Sequence, residues 1–318
     1  NYLSNNVSVI DTAANTVVAT VAVGGNPRSV AVNSAHAYVV NEQSNNVSVI
    51  DTAANTVVAT LAVGLQPLGV AVDPAGTRAY VVNYNSNNVS VINTTTNTLL
   101  APFASGTGPY EVAVNPAGTL AYVTNRLSFN VAVINTATNT VVATVPVGTK
   151  PTGVAVNPVV ARAYVTDFIS NNVSVINTAT NAVVATIAVG AEPVGVAVNP
   201  AGTRVYVTNY TSNTVSVIDA NNNALFATLP VGTNPSGVAV NPTLMAIVPG
   251  APTIGSATAG NGFATVTYTP PVFDGGSTIF TYTATSTPGG ITGSTTGGPV
   301  IVSGLTNGAA YTFLRRLQ

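Results

Sequence analysis

A unit of 42 residues governs what this chain can fold into. The stretch from Pro193 to Asn234 ends where the next copy begins, at Pro235. The tyrosine of a Tyr-Val-x-Asn element stands at Tyr38, Tyr80, Tyr122, Tyr164 and Tyr206, always 42 residues apart. The proline after a Val-Gly turn recurs at Pro27, Pro67, Pro109, Pro151, Pro193 and Pro235. Only the first proline interval differs, at 40, because Asn33 to Tyr38 lacks two residues of the turn found at Asp73 to Tyr80. A fixed period of about 40 residues means that each unit is one supersecondary element, which buries its faces only by stacking on its neighbours.

Each unit holds four segments with strand character. In the copy beginning at Pro67 they are Gly69–Asp73, Arg78–Asn83, Asn88–Asn93 and Thr98–Ala104, rich in Val, Ile, Thr and Tyr and bounded by turn residues. Asp73-Pro74-Ala75-Gly76 closes the first turn, with Pro presetting φ and Gly accepting a positive one. Helical periodicity is absent. Four antiparallel strands per unit describe a propeller blade; the competing parallel β-helix fits poorly with a proline fixed before a central strand. Third strands of the Val-Ser-Val-Ile type number six: Val7–Ile10, Val47–Ile50, Val89–Ile92, Val131–Ile134, Val173–Ile176 and Val215–Ile218. The expectation is an all-β propeller of six four-stranded blades, or of seven if the chain is a fragment. Asn1-Tyr2 stands where a Tyr-Val-x-Asn element would end, so the chain opens mid-repeat. Strands from 236–248 are expected to pair beside strands from 5–23 and close the ring.

Tyr-Val-Thr-Asn at 122–125 and 206–209, with Val-Ser-Val-Ile-Asp and Val-Gly-x-x-Pro around it, resembles the YVTN family of β-propeller repeats over residues 1–248. That resemblance implies a surface-layer or other exported protein, often with seven blades. After Val248 the composition shifts. Pro249-Gly250-Ala251-Pro252 reads as a linker, and 264–271, Asp274–Ser277, Ile279–Thr285 and Leu305-Thr306-Asn307-Gly308 with Tyr311 follow in order. This succession, 249–318, resembles a fibronectin type III sandwich, with Tyr268 where that family commonly has a core Trp. Its last strand is expected to be missing, with Phe313–Gln318 in its place.

Composition excludes several functions. Only 5% of residues are charged, against roughly a quarter in ordinary globular domains. The net charge of −1 offers no electrostatic footprint for nucleic acid, so no nucleic-acid partner is expected. No apolar run reaches membrane-spanning length. Without cysteine, disulfides and thiolate metal sites are ruled out, and one histidine, His36, cannot build a zinc site. His36 reads as a turn residue, since Arg78, Leu120, Arg162 and Arg204 hold its place in other copies. Asp11, Asp51 and Asp219 alternate with Asn93, Asn135 and Asn177 at the ends of third strands, as expected of Asx turns rather than acid–base catalysts. Catalytic residues, metals and cofactors are therefore all expected to be absent.

What distinguishes one copy from another is the loop chemistry on one face. After the Tyr-Val-x-Asn element come Tyr2 (by phase), Glu42, Tyr84, Arg126, Phe168 and Tyr210; around the proline come Arg28, Tyr110, Glu111, Lys150 and Glu192. Loops on a rigid scaffold are where binding concentrates, and aromatic and Arg side chains suit it. The sequence thus reads as a non-catalytic exported or cell-surface protein. Its propeller would bind a protein or glycan, or copies of itself, and the fibronectin-like unit would act as spacer. The alternative is a lactonase-like hydrolase with a site in the central channel.

Overall fold

The structure, a computed structural model, describes residues 1–240, 252–270 and 281–317. The chain divides into two compact units, 1–241 and 242–318; the boundary expected at Val248 lies outside the described residues. The first unit opens with one 3-10 turn, Tyr2–Ser4, and two strands, β1 (Asn6–Asp11) and β2 (Thr16–Ala22), which pair with each other.

Five four-stranded antiparallel blades follow. The first is β3 (Pro27–Val32), β4 (His36–Asn41), β5 (Asn46–Asp51) and β6 (Thr56–Ala62). The second is β7 (Pro67–Val72), β8 (Arg78–Asn83), β9 (Asn88–Asn93) and β10 (Thr98–Ala104). The third is β11 (Pro109–Val114), β12 (Leu120–Asn125), β13 (Asn130–Asn135) and β14 (Thr140–Pro146). The fourth is β15 (Pro151–Val156), β16 (Arg162–Asp167), β17 (Asn172–Asn177) and β18 (Ala182–Ala188). The fifth is β19 (Pro193–Val198), β20 (Arg204–Asn209), β21 (Thr214–Asp219) and β22 (Ala224–Pro230). Strands keep chain order within each blade, and the first strands β3, β7, β11, β15 and β19 pack side by side as the inner layer. Each first strand begins at its proline, two residues earlier than the alternation predicts. The ladder starts with pairs such as Pro67 opposite Asn83 and skips into a bulge before Val70.

The core lies between blades. Tyr80, Val82, Val89 and Val91 of the second blade pack against Val112, Ala121, Val123, Ala132 and Ile134 of the third, and the same interleaving recurs at every blade junction. Tyr38, Tyr80, Tyr122 and Tyr164 are wholly buried there. Second and third strands are covered on both faces, whereas fourth strands are largely exposed. That is why the former are continuous apolar runs. Arg78 and Arg162 reach from their second strands to backbone carbonyls of the next blade, at Thr136 and Ala220.

The asparagines do backbone work. Each full unit has three left-handed positions, such as Asn45, Asn55 and Gln66 in one copy and Asn171, Asn181 and Glu192 in another; Asn is among the few residues that adopt this conformation cheaply. The side chain at the first of them also accepts a hydrogen bond from the loop entering the next blade: Gln66 N to Asn45 Oδ1 (2.7 Å), Gly108 N to Asn87 (2.8 Å), Glu192 N to Asn171 (2.9 Å) and Asn234 N to Asn213 (2.8 Å). The same loop is gripped from the other side by a serine, as in Leu65 N to Ser86 Oγ (2.7 Å) and Thr149 N to Ser170 Oγ (2.8 Å). Asp11, Asp51, Asn93, Asn135 and Asn177 each accept two backbone N–H bonds at their turns, the Asx role expected of them. The Asn of Tyr-Val-x-Asn bridges its hairpin instead: Asn41 Nδ2 donates to Asn46 Oδ1 (2.8 Å) and Ser48 Oγ (2.9 Å).

The expected closure of the ring is not found among the described residues. Residues 235–240 form no strand, β1 and β2 stand as a two-stranded sheet, and 245–248 lie outside the described residues. Thr208 Oγ1 lies 3.4 Å from Ser236 O, as Thr166 Oγ1 lies 2.7 Å from Val194 O. Residues 235–237 thus follow the course of an inner strand, but no described residue supplies the second strand whose ladder would hold them. At the other end of the stack Val30 and Val32 of β3 are 54% and 63% exposed, where Val70, Val112 and Val154 are at most 6% exposed. Among the described residues no inner strand covers β3 from its outer side.

The second unit is two three-stranded antiparallel sheets. One runs β23 (Thr253–Ala259), β24 (Phe263–Thr269) and β27 (Val300–Ser303); the other runs β26 (Thr292–Thr295), β25 (Tyr282–Thr287) and β28 (Thr312–Leu317). Val266, Ala284, Val300 and Val302 form the core they share, and the rings of Tyr268 and Tyr282 stack against it, 4.2 Å apart. Residues 313–317, read as an irregular end, form an edge strand on β25. The expected turn at Asp274–Ser277 and the residues Ile279 and Phe280 lie outside the described residues.

Two copies depart from the pattern, and each departure predicts a stabilising reversion. Phe129 occupies the left-handed position (φ 54°) that Asn holds elsewhere, and it has no oxygen to accept from Lys150 N. Phe129→Asn relieves the backbone and restores that bond, a gain of roughly 1–2 kcal/mol read as a Tm rise of a few degrees. Asp167 replaces the bridging Asn, leaving Asn172 Oδ1 without a donor. Burial pushes its carboxyl up to about 6, against the downward pull of the Ser174 hydroxyl. A folded pKa above the unfolded one means stability that is complete below about pH 4 and is lost as pH rises through 6. Asp167→Asn should therefore raise Tm by roughly 5 °C at pH 8 and by much less at pH 4, in parallel thermal melts.

Candidate functional site

The strand-two-to-three loops and the strand-four-to-one loops gather at one end of the propeller, because each pair is tied together by backbone bonds such as Tyr84 N to Gln66 O (2.9 Å) and Phe168 N to Lys150 O (3.1 Å). Inner strands approach so closely that most tolerate no side chain two residues after the proline. An added Cβ at Gly153 would strike the carbonyl of Val194 on the next inner strand, and one at Gly195 the carbonyl of Ser236 in the segment that follows the same course. Residues 29, 69, 153 and 195 are accordingly Ser, Gly, Gly and Gly. Glu111 alone brings a long side chain to that layer. Its carboxyl lies over Gly69, in space that any side chain there would fill.

One residue earlier, Arg28 and Tyr110 project from the first and third blades, and there a continuous network begins. The Arg28 guanidinium donates to the Tyr110 hydroxyl, lies over its ring (5.2 Å to the centroid) and pairs with Glu42 at 3.4 Å. Glu42 accepts from the Tyr2 hydroxyl (3.2 Å) and from Gln66 Nε2 (2.9 Å). On the other side of Tyr110, the Arg126 guanidinium sits 4.8 Å from its centroid and 4.9 Å from that of Phe168. Tyr84 meets Tyr110 edge to face at 6.5 Å. Cation–π contacts of this kind contribute about 0.5–1 kcal/mol each at exposed sites. Three of them, with the edge contact of Tyr84 and the hydrogen bonds of Glu42, hold the side chains in one arrangement.

Seven of the eleven positions singled out by their variability thus meet in one cluster, Tyr2, Arg28, Glu42, Tyr84, Tyr110, Arg126 and Phe168, and Glu111 lies in the inner layer one residue on from Tyr110. Lys150, Glu192 and Tyr210 lie on the same loops outside it. Lys150 and Glu192 hold left-handed backbone positions, and the Glu192 carboxylate accepts from the Thr211 hydroxyl. Their identity is therefore partly a turn requirement.

The sequence reading missed an amide-lined hollow beside the network. It has a volume of about 450 Å³ and is walled by Tyr2, Asn26, Glu42, Gln43, Gln66 and Asn85 among others. The same rule would have found it, since the loop residues before the proline also differ between copies. Leu127, Phe129 and Ile169 are exposed apolar side chains on the same loops. Among the described residues no group of three or more His, Asp or Glu side chains gathers in metal-binding proximity, and no helix is long and apolar enough to cross a membrane.

No family model matches the sequence, and no curated protein sequence matches it. Solved structures do resemble it. Hydrazine synthase of Kuenenia stuttgartiensis is 22% identical over 85% of this chain and 90% of that one, with a TM-score of 0.69. A functionally unknown protein from Desulfotomaculum acetoxidans DSM 771 is 18% identical over 75% of this chain and 83% of that one, with a TM-score of 0.67. At such identities the likeness speaks for the fold alone, and that fold is a β-propeller.

Burial pushes the Glu111 carboxyl up to about 7, while the Val112 N–H and the Arg28 charge pull it the other way. The folded protein therefore binds this proton more tightly than the unfolded chain, and stability falls as pH rises from about 4.5 through 7. Glu111→Gln should gain on the order of 1–2 kcal/mol at pH 8 and almost nothing at pH 4.5. Chemical denaturation at the two pH values checks this, and an equal gain at both would remove the carboxyl as the cause.

Proposed function

We propose that this chain is a non-catalytic recognition protein of the extracellular space or cell surface, with the propeller's loop-bearing end as its binding face. The observation that carries the reading is the stacked network from Tyr2 through Arg28 and Tyr110 to Phe168. It joins loops of four different blades through residues that differ from copy to copy. Side chains that only hold a blade together repeat in every copy; these do not. The aromatic, arginine and amide composition of the face suits a glycan or a protein partner, and the weakly charged surface leaves self-association open to the same test.

The finer family reading rests on the Tyr-Val-Thr-Asn spacing and on five blades that each start at the recurring proline. These support a YVTN-type, surface-layer-like propeller. The second unit reads as a fibronectin type III spacer. Its strand order, β23-β24-β27 facing β26-β25-β28, fits that sandwich without its last strand, and Thr306 N donates to the Tyr311 hydroxyl (3.1 Å), as in the tyrosine corner of such folds.

A hydrolase with its site on the propeller axis is the second reading, favoured by Glu111 alone, since a carboxyl titrating near neutrality is suited to proton transfer. Lactone hydrolysis abolished by Glu111→Gln would establish it.

The direct test of the leading reading is to immobilise the protein and screen glycans, cell-wall material and the protein itself. The triple variant Tyr84→Ala, Arg126→Ala, Phe168→Ala should lose binding by at least tenfold, corresponding to about 1.4 kcal/mol or more, with its melting profile retained. Binding that survives the triple variant rules this face out.

A further inference from the structure

Arg126 is the one arginine of the network whose hydrogen-bonding capacity is unspent. Its guanidinium lies over the rings of both Tyr110 and Phe168, yet among the described residues it makes no hydrogen bond and no ion pair. The propeller's other arginines are all engaged: Arg28 with Glu42 and Tyr110, Arg78 and Arg162 with carbonyls, Arg204 with Asp219 at 3.1 Å. An arginine fixed by stacking loses little further rotamer freedom when it binds, and its fork of N–H groups matches a carboxylate bidentately.

The surroundings narrow the anion. Glu42 pairs with Arg28 and Glu111 lies within reach of the same charge, so a dianionic or densely charged ligand spanning the face would meet repulsion that a single carboxylate on an otherwise neutral molecule avoids. The hollow shares Tyr2 and Glu42 with the network, and its wall is chiefly amide: Asn26, Gln43, Gln66 and Asn85. Side-chain amides donate and accept at once, which matches hydroxyl groups, and the rings of Tyr84 and Tyr110 supply flat apolar surface for the faces of sugar rings.

We infer that Arg126, lying over Tyr110 and Phe168, is the carboxylate-binding subsite of a uronate-containing glycan whose neutral hydroxyls occupy the amide-lined hollow. The inference rests on the binding-face reading above and names its ligand class.

The test is calorimetric titration of the full chain at pH 7 with an aldotriouronate, a xylobiose bearing a single glucuronate, and with the same trisaccharide methyl-esterified at its carboxyl. The aldotriouronate should bind, and the ester at least tenfold more weakly. Arg126→Ala should weaken the aldotriouronate at least tenfold and leave the ester unchanged. Arg126→Lys, which keeps the charge without the fork, should recover only part of the loss. Arg204→Ala, which removes an ion-paired arginine on a second strand, should bind as the parent does. Melting curves establish that each variant is folded.

Equal affinity for acid and ester would overturn the carboxylate subsite and leave the binding face standing as a neutral-glycan site. Absence of aldotriouronate binding would overturn the inference, and the triple-variant screen then judges the face independently. Arg126-dependent binding of a hexaglutamate peptide without saccharide binding would overturn the glycan and identify an acidic protein segment as the ligand.

Discussion

Everything in the propeller depends on how a blade is joined to the next. The loop that leaves a fourth strand is held on one side by an asparagine of the blade behind and on the other by a serine of the blade ahead, as Gln66 N and Leu65 N are by Asn45 and Ser86. Each such bond contributes only about 1 kcal/mol net. Their effect is to fix the height and angle at which two apolar faces meet, and the tyrosines and valines of those faces supply the larger share by burial. A blade alone would leave both faces wet. Cohesion is therefore a property of neighbours, repeated along the stack, and the loops it holds rigid are the ones that bear the variable side chains.

Most of this architecture was legible in the sequence because structural constraints repeat and so expose themselves. The proline, the buried tyrosine, the bridging Asn and the serine–asparagine grip recur at one spacing, and the strands fall where alternation and β-branched content place them. Where prediction missed, the cause was tertiary. The first strands begin at their prolines because a bulge realigns the ladder, which alternation alone does not encode. The pairing of residues 236–248 with the opening strands was an inference from counting. It is not found among the described residues, where 235–240 have no second strand to pair with. The β28 edge strand was missed because its residues do not alternate cleanly, and β25 imposes the strand on them.

The candidate site was legible only as a set of exceptions. Sequence comparison between copies marked eleven positions, but spacing could not tell which would meet. The meeting depends on the inner layer, where Arg28 and Tyr110 lie 82 residues apart yet touch above Gly69 and Leu68 of the intervening strand. Small residues at that level make room for one long side chain, Glu111, and its burial there is what moves its protonation toward neutrality. Lys150 and Glu192 were marked by the same rule, but left-handed backbone positions account for much of their setting. Variability is thus informative where the backbone leaves a residue free, and ambiguous where it does not.

The links between blades have a consequence for how such a chain can change through descent. Loop grips span about 21 residues, the threonine-to-carbonyl contacts 28 and the arginine-to-carbonyl contacts 58, so each reaches only the adjoining unit. A gene segment of one whole repeat can be copied or lost without severing a type of contact that its neighbours need, and the new copy arrives already folded against them. The stacked side chains at the loop end are different, because Arg28 and Tyr110 meet across an intervening blade. Unequal recombination at the repeat would preserve the scaffold and reshuffle which side chains confront one another, making the number of copies itself a heritable means of altering the surface that this end presents.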